Sequence, residues 1–542
     1  MSKFSDFSSI KLYTYILNSM LIFKVNFRGD LLMELLNQIK KNAVLFPDRV
    51  AFQSRNGCLT YSELISKSES LAIWISEKER SKTPIIVYGN MQPEMIICFL
   101  AAVQSGHPYV PIDESVPFER VKQIIEKSGA KMAFVSPAFS LDFSLEIFSF
   151  EELDQLVSSI SALSVEKLRP VKGNDTFYII FTSGSTGAPK GVEVSMNNLF
   201  SFVNWIADDF SIGKNKTFLN QAPFSFDLSV MDLYPSLATG GTLVALDKDL
   251  LASLKDLFPY LMEGKLNVWT STPSFMEICL MNKSFDAHTL PTLETFLFCG
   301  EILPSGTAKE LRKRFPDAKI FNTYGPTEAT VAITYIEITD EILEEYLTLP
   351  IGYAKGETKI SLLNEEGIEA ENGEIIISGS SVANGYLNDS EKTAAVFFEK
   401  GQDRTYRTGD VGTFKNGMLF YNGRKDFQIK LHGYRIELED IEMNLREVDL
   451  IESVIVVPVF KDSIINELVA VVVTRDHDFK KEFQLTSFIK KQLAERMPTY
   501  MIPRKFVYWE MLPMTNNGKI DRNLIAAQIQ PLQLMKEGHN NG

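Results

Sequence analysis

The sequence predicts an α/β chain with parallel sheets covered by helices, a β-rich subdomain, and a small α+β unit at the C-terminal end. Three observations predict it. Short apolar or β-branched runs alternate with helical patterns through the N-terminal part, the pattern that builds parallel sheets. Gly-punctuated short strands follow at 359–363 and 373–379. After Gly423-Arg424-Lys425-Asp426 the strand–helix pattern restarts.

Taken in order, residues 84–88 (Pro-Ile-Ile-Val-Tyr) read as a strand and 93–105 as a helix. Residues 118–127 read as a helix that leads into a strand at 131–135. The uninterrupted apolar run Phe177-Tyr178-Ile179-Ile180-Phe181 is a buried strand. Beyond Asp426, strands are expected at 454–459 and 468–474, a helix at 485–496, and a short strand at 506–509 before a Gly-containing turn. That unit has about 115 residues, an ordinary domain size. The division is placed at Asp426, in a polar junction that suits a hinge better than a tether. The expected domains are thus 33–425 and 426–542, preceded by an extension at 1–32.

The extension is mildly apolar over 10–27, but Lys11, Asn18, Ser19 and Lys24 interrupt it. A membrane span needs about 20 apolar residues, and no small-residue cleavage site follows. One reading is a disordered or loosely docked extension. The sharper one takes Met33 as the initiator, because Met33-Glu34-Leu35-Leu36-Asn37-Gln38-Ile39 opens an amphipathic helix. A purine tract AGA-GGA-GAT can encode Arg28-Gly29-Asp30 ahead of it. Intact mass of the natively expressed protein decides between them.

Of 542 residues, 45% are hydrophobic and 23% charged, ordinary values for a chain that buries a core. Net charge is −14, against a broad nucleic-acid or anionic-membrane footprint. No nucleic-acid partner and no membrane insertion are expected. Cys58, Cys98, Cys279 and Cys299 are scattered without a CxxC pair. Zinc and disulfide frameworks therefore fit poorly, and a reduced, cytoplasmic compartment fits best. With five His and no HExxH pattern, metal-centred hydrolysis also fits poorly.

The run 177–181 leads into Thr182-Ser183-Gly184-Ser185-Thr186-Gly187-Ala188-Pro189-Lys190-Gly191. Glycines let backbone N–H groups approach an anion, hydroxyls donate to phosphate oxygens, and Lys adds charge. The spacing fails the Walker A pattern, because Pro189-Lys190-Gly191 stands where Gly-Lys-Ser/Thr is required. On its own the segment is equally a flexible Ser/Gly loop.

It does not stand alone. Asn322-Thr323-Tyr324-Gly325-Pro326-Thr327-Glu328, Tyr406-Arg407-Thr408-Gly409-Asp410, Gly423-Arg424 with Asp426-Phe427-Gln428-Ile429-Lys430, and Asn517-Gly518-Lys519-Ile520-Asp521 follow in turn. Together these motifs resemble, in order and spacing, the adenylate-forming superfamily of acyl-CoA synthetases, luciferases and amino-acid adenylation domains. The resemblance covers essentially everything after Met33. It implies a large N-terminal domain of two helix-covered sheets plus a β-subdomain, with a small mobile α+β C-terminal domain. It implies joining of a carboxylate to the α-phosphate of ATP, with Mg²⁺, followed by attack of a thiol on the acyl-adenylate.

By the same resemblance, Thr182 and Ser183 hold phosphate oxygens and Lys190 assists by charge. Tyr324 stacks on adenine, with Asn322 at its edge and Gly300-Glu301-Ile302 as a wall. Thr323, Gly325 and Pro326 complete that nucleotide segment, and Thr327 meets the α-phosphate. Glu328 is the metal ligand; a hard carboxylate suits a hard cation. Asp410 clamps the ribose hydroxyls, and Tyr421, Asn422, Gly423 and Arg424 flank the nucleotide near the hinge. Lys519 is the catalytic residue, bridging substrate carboxylate and α-phosphate by charge. Asp426 is the hinge. Its swing replaces Lys519 with His432-Gly433-Tyr434-Arg435, where Gly433 leaves room for a pantetheine arm.

The acid activated is read from Phe224-Ser225-Phe226-Asp227-Leu228-Ser229. A buried carboxylate is costly unless a cation arrives, and amino-acid-activating members pair an Asp here with the substrate ammonium. Segments 218–223, 231–235, 267–275, 295–301 and 500–506 resemble the D-alanine-activating members more closely. That implies D-alanine as substrate, with Cys299 and Val331 lining its side-chain pocket and Lys519 reaching its carboxylate. It also implies a ligase that passes D-alanine to a phosphopantetheinylated D-alanyl carrier protein in trans, towards lipoteichoic acid. No Gly-Gly-[His/Asp]-Ser carrier signature is present in the chain. The rivals are a freestanding adenylation enzyme for another small amino acid in nonribosomal peptide synthesis, and a catalytically silent nucleotide-binding protein.

Overall fold

A computed structural model describes residues 35–137, 139, 145–158, 168–184, 188–210, 212–461, 464–514 and 520–539. The expectations for residues 1–32, for Met33 and for Lys519 lie outside the described residues. Local chemistry sets the element ends. Thr60 and Glu63 form a capping box at the start of helix Tyr61–Lys78. Pro93 opens helix Pro93–Gln104, and Gly129, at φ +64°, closes helix Phe118–Ser128.

Among the described residues the large domain holds three sheets. The seven-stranded sheet runs Gly385–Tyr386, Lys190–Ser195, Thr176–Thr182, Tyr109–Asp113, Ile85–Gly89, Met132–Val135, Glu146–Ser149. From Thr176–Thr182 onward its neighbours are parallel. The nine-stranded sheet runs Tyr353–Ala354, Thr334–Glu337, Lys319–Tyr324, Thr295–Phe298, Val268–Ser271, Thr217–Asn220, Thr242–Ala245, Val50–Ser54, Gly57–Thr60. Its central pairs are parallel and its two ends antiparallel. The third is an antiparallel five-stranded β-subdomain around the long strand Asp403–Lys415.

The small domain is a two-stranded hairpin and a three-stranded sheet of Ile451–Lys461, Ile464–Thr474 and Lys505–Tyr508. Alternate residues of this sheet point to opposite faces, and both faces are covered. Val454, Val456, Ala470 and Val472 pack beneath helices Leu438–Arg446 and Glu482–Ala494. Ile455, Val457, Val469 and Val471 meet Ile525 and Ile529 of helix Arg522–His539. The hairpin, Gln428–Leu431 and Tyr434–Glu437, turns through His432 at φ +52° and Gly433 at φ +81°. A two-residue loop with both φ positive matches strand twist, and Gly tolerates it best.

Candidate active site

The cleft forms where parallel strands end, the usual place for a ligand in an α/β sheet. Strands Thr217–Asn220, Val268–Ser271, Thr295–Phe298 and Lys319–Tyr324 are neighbours in one sheet. Just past their carboxyl ends stand Asp227, Thr272, Cys299 and Thr327, which line a small cavity of about 80 Å³. Strand Thr176–Thr182 of the other sheet delivers Thr182 and Ser183. The hairpin of the small domain covers the cavity with His432, Gly433, Tyr434 and Arg435.

Asp227 is half-buried in that cavity. Burial raises its carboxyl, opposed by a hydrogen bond from Thr327 and by the charges of Lys430 and Arg435. Cys299 is buried, and its thiol faces the Val331 carbonyl at 3.8 Å. Burial pushes that thiol up, so at neutral pH it packs as a small neutral side chain. Thr330 and Val331 both hold positive φ, +58° and +68°, outside the comfortable range of β-branched residues. The Thr330 hydroxyl fixes the bend by donating to the Ser381 carbonyl at 2.7 Å, which turns Val331 into the cavity wall.

A second cavity of about 710 Å³ lies beside the first, between the domains. Asn322, Thr323, Tyr324, Tyr421, Asn422 and Gly423 all reach its wall, with Gly300-Glu301-Ile302 opposite. The Tyr324 hydroxyl donates to Asp410 Oδ2 at 2.5 Å. Arg424 donates to the other oxygen of Asp410 at 2.6 Å, and to both oxygens of Asp426 at 2.6 and 2.7 Å. One guanidinium thus ties the expected ribose clamp to the expected hinge. Burial disfavours its charge, but the two aspartates outweigh burial and keep it protonated. The Asn322 amide donates to the Pro350 carbonyl at 2.8 Å, and the Thr323 hydroxyl to the Phe298 carbonyl at 2.8 Å. Gly325 has no room for a side chain, because a Cβ would lie 2.5 Å from Ala332 Cα.

Glu328 is fully buried. Tyr386 donates to its Oε1 at 2.8 Å, Lys190 stands 3.8 Å from the same oxygen, and Arg435 binds Oε2. Burial raises this carboxyl, but Arg435, Lys190 and Tyr386 together hold it well below the usual carboxylate range. Lys190 also lies 3.7 Å from Glu437. The Ser183 hydroxyl donates to the Arg435 carbonyl at 2.9 Å and accepts from the Glu437 N–H at 3.3 Å. The Thr182 hydroxyl is buried without a hydrogen-bond partner among the described residues.

All the described sequence-derived site residues gather at this cleft, though Asn422 turns its amide towards Thr413, at 2.6 Å. A Cβ at Gly433 would lie 2.4 Å from Thr272 Cγ2. The glycine permits close approach of the hairpin to the large domain, and its N–H donates to Glu301 at 2.8 Å. Sequence reasoning brought Arg435 to the site only as the end of the segment 432–435, without a partner, and did not single out Glu437 or Tyr386. Arg435 and Glu437 stand two apart in a strand and so share a face, a signal readable only once that strand is known to face the site.

Residues 39–387 match the pattern of the AMP-binding enzyme family, and residues 440–519 match the AMP-binding enzyme C-terminal domain. D-alanine–D-alanyl carrier protein ligases of Bacillus anthracis and Bacillus thuringiensis (strain Al Hakam) are each 51% identical, covering 92% of this chain and all of theirs. The Vibrio cholerae adenylation domain AlmE, solved with glycyl-adenosine-5'-phosphate, superposes with a TM-score of 0.78 at 26% identity, over 92% of this chain and 97% of that one. Holo-PA1221, a nonribosomal peptide synthetase protein with adenylation and carrier domains, gives 0.76 at 26% identity, over 91% and 84%. The chain therefore belongs to the AMP-binding enzyme family and, within it, to the D-alanine–D-alanyl carrier protein ligases.

Proposed function

We propose that this chain activates D-alanine with ATP as D-alanyl-AMP and passes the alanyl group to the phosphopantetheine thiol of a separate carrier protein, in the cytoplasm. The observation that carries the reading is Asp227, a half-buried carboxylate in a cavity of about 80 Å³ closed by Cys299 and Val331. A carboxylate held away from water calls for a cation, and a substrate ammonium supplies one. The small volume suits a methyl side chain. In the first half-reaction the alanine carboxylate attacks the α-phosphorus and pyrophosphate leaves. In the second, the thiolate attacks the acyl carbon and AMP leaves.

In this reading Tyr324 and Asn322 face the adenine, Asp410 takes the ribose hydroxyls, and Thr327 takes the α-phosphate. Thr182, Ser183 and Lys190 take the outer phosphates. Lys519 brings its ammonium to the two anions that react, a charge-stabilising role. The division between the domains falls at Asp426. Glu328 is the candidate ligand for Mg²⁺, which when bound neutralises phosphate charge. In the arrangement described here Tyr386, Lys190 and Arg435 already engage both its oxygens, so no metal fits and no step is routed through one.

Amino-acid-dependent ATP–pyrophosphate exchange tests the reading across D-alanine, L-alanine, glycine and serine. D-alanine is expected to lead glycine by about tenfold or more, the range a buried methyl contact gives. Equal or greater exchange with another amino acid assigns the chain to the peptide-synthesis alternative instead. Lys519→Ala is expected to abolish exchange while leaving the unfolding transition in place.

A further inference from the structure

The tip of the small-domain hairpin lands at the start of helix Pro273–Leu280 of the large domain. The first N–H groups of a helix find no partner inside it. Here the first residue, Pro273, has no N–H to satisfy. The Ser274 N–H donates to Glu301 Oε2 at 3.0 Å, and the Phe275 N–H donates to the Thr272 hydroxyl at 3.3 Å. The Met276 N–H reaches the Thr272 carbonyl at 3.3 Å. Thr272 and Glu301 thus close this helix end between them. Both also meet Gly433. The Thr272 methyl lies where a side chain at 433 would start, and Glu301 Oε1 accepts the Gly433 N–H at 2.8 Å.

One carboxylate is therefore shared by two bodies: Oε2 serves the large domain and Oε1 the small one. The chain reaches Glu301 through Gly300, whose φ of +93° turns the backbone past the end of strand Thr295–Phe298. Cys299 then faces the small cavity, and Glu301 lies on the wall of the large one. The Ser274 N–H holds the carboxylate whether or not the hairpin is seated, so docking orders little that was free. Gly433 lies between the paired residues Leu431 and Tyr434, and its N–H takes no part in the hairpin ladder. A hydrogen bond from an N–H to an ionised carboxylate is roughly twice as strong as one between neutral groups. Glutamine has the same shape but one acceptor oxygen. With Ser274 satisfied, it turns an NH2 towards the Gly433 N–H, donor against donor.

We propose that Glu301 is a positioning residue for the transfer half-reaction: its side chain, fixed by the end of helix Pro273–Leu280, receives the Gly433 N–H and sets how fully the hairpin seats over the small cavity. It acts through the hairpin, which carries His432, Gly433, Tyr434 and Arg435 to that cavity. The inference rests on the reading of two half-reactions given above. It deepens that reading by giving the Glu301 carboxylate a task apart from the nucleotide wall to which the residue belongs.

Two readouts on the full chain test it with Glu301→Gln. The first is a ratio: the single-turnover rate of D-alanyl transfer from preformed adenylate to phosphopantetheinylated carrier, over the D-alanine-dependent pyrophosphate exchange rate of the same sample. It is expected to fall by about tenfold or more, the scale of one lost hydrogen bond to a charged group. The second is amide hydrogen exchange, followed by mass spectrometry in peptides covering 428–437 and 272–280. The hairpin peptide is expected to exchange about tenfold faster in the variant, because the undocked population grows by that factor. The 272–280 peptide is expected to keep its protection. Glu301→Asp keeps the charge but is one methylene too short to span both N–H groups. It is expected to lower the ratio as well, which guards against a defect peculiar to the Gln variant. A ratio unchanged in both variants, with exchange intact, overturns the inference and leaves the functional reading standing. Deprotection of 272–280 as large as that of the hairpin also overturns it, by reducing Glu301 to a helix cap. Absence of D-alanine-dependent exchange in the unsubstituted protein overturns the functional reading and the inference together.

Discussion

Arg424 and Cys299 show how single residues carry the site. The Arg424 guanidinium bonds Asp410, Asp426 and the Thr408 carbonyl at once, so it holds both the nucleotide side and the junction. Replacing it with Ala leaves Asp410 buried with, among the described residues, the Tyr324 hydroxyl as its remaining side-chain partner. Unpaired burial of this kind costs about 3–5 kcal/mol. Arg424→Ala is expected to raise the KM for ATP in the exchange assay by about 100-fold or more, the equivalent of about 3 kcal/mol. Cys299 acts by shape instead. Its thiol is neutral and closes the cavity against Val331. Cys299→Ala opens that wall, so the exchange ratio of D- to L-alanine is expected to fall by about tenfold, within the 1–3 kcal/mol a side-chain pocket contributes. An unchanged ratio removes Cys299 from the specificity wall. The residues that carry these arguments were legible in the sequence because each lies inside a motif whose order and spacing are shared with a family. The ion pairs of Arg435 and Glu437 were not. Their partners Glu328 and Lys190 lie more than a hundred positions away, and only the docked hairpin brings them together.

Element boundaries followed the same division. The expected strand at 84–88 is Ile85–Gly89, the helix at 93–105 is Pro93–Gln104, and the strand at 468–474 lies within Ile464–Thr474. All three are near-continuous apolar segments, whose pattern alone forces burial. The strand Asp403–Lys415 was visible only as a motif, because Gly409, Gly412 and its polar residues break any apolar period. It is held by ladders to Asn372–Gly379 on one side and Met418–Arg424 on the other. In the proposed reading the hairpin is the element on which the second half-reaction turns. A side chain at 433 meets two obstacles, φ at +81° and Thr272 Cγ2 at 2.4 Å. Gly433→Ala is therefore expected to slow transfer from preformed adenylate to carrier by about 30-fold or more, the equivalent of about 2 kcal/mol. Exchange is expected to stay within about twofold, if adenylation uses the other placement of the small domain. Thr272→Ser removes the obstructing methyl and keeps the hydroxyl that caps helix Pro273–Leu280. Added to Gly433→Ala, it is expected to restore part of the lost transfer. The backbone strain remains, so full recovery is not expected.

At the scale of the whole molecule, docking joins a buried acid of the small domain to a cation of the large one. Asp440 is 1% exposed, and its Oδ2 lies 3.5 Å from Arg120. Burial pushes this carboxyl up to about 6, against the pull of Arg120 and Asn444 and with a push from Glu437. The unfolded chain holds it near the ordinary 3.8. Below that value both states bind the proton and the group is neutral to stability differences. Between 3.8 and about 6 the folded protein keeps a proton that the unfolded chain has lost. Linkage then makes stability fall as pH rises, by up to about 3 kcal/mol, and the loss is complete above the folded value. Asp440→Asn cannot titrate and lacks this slope. Its urea midpoint relative to the unsubstituted protein is thus expected to improve steadily from pH 4 to pH 6.5 and then to level off. Arg120→Met removes the cation that favours the ionised form, so in that background the improvement should continue to higher pH. A midpoint difference that stays constant across the range shows that Asp440 does not titrate with folding. The direction of the Arg120 effect separates a carboxyl buried by its own domain from one governed by the docked interface.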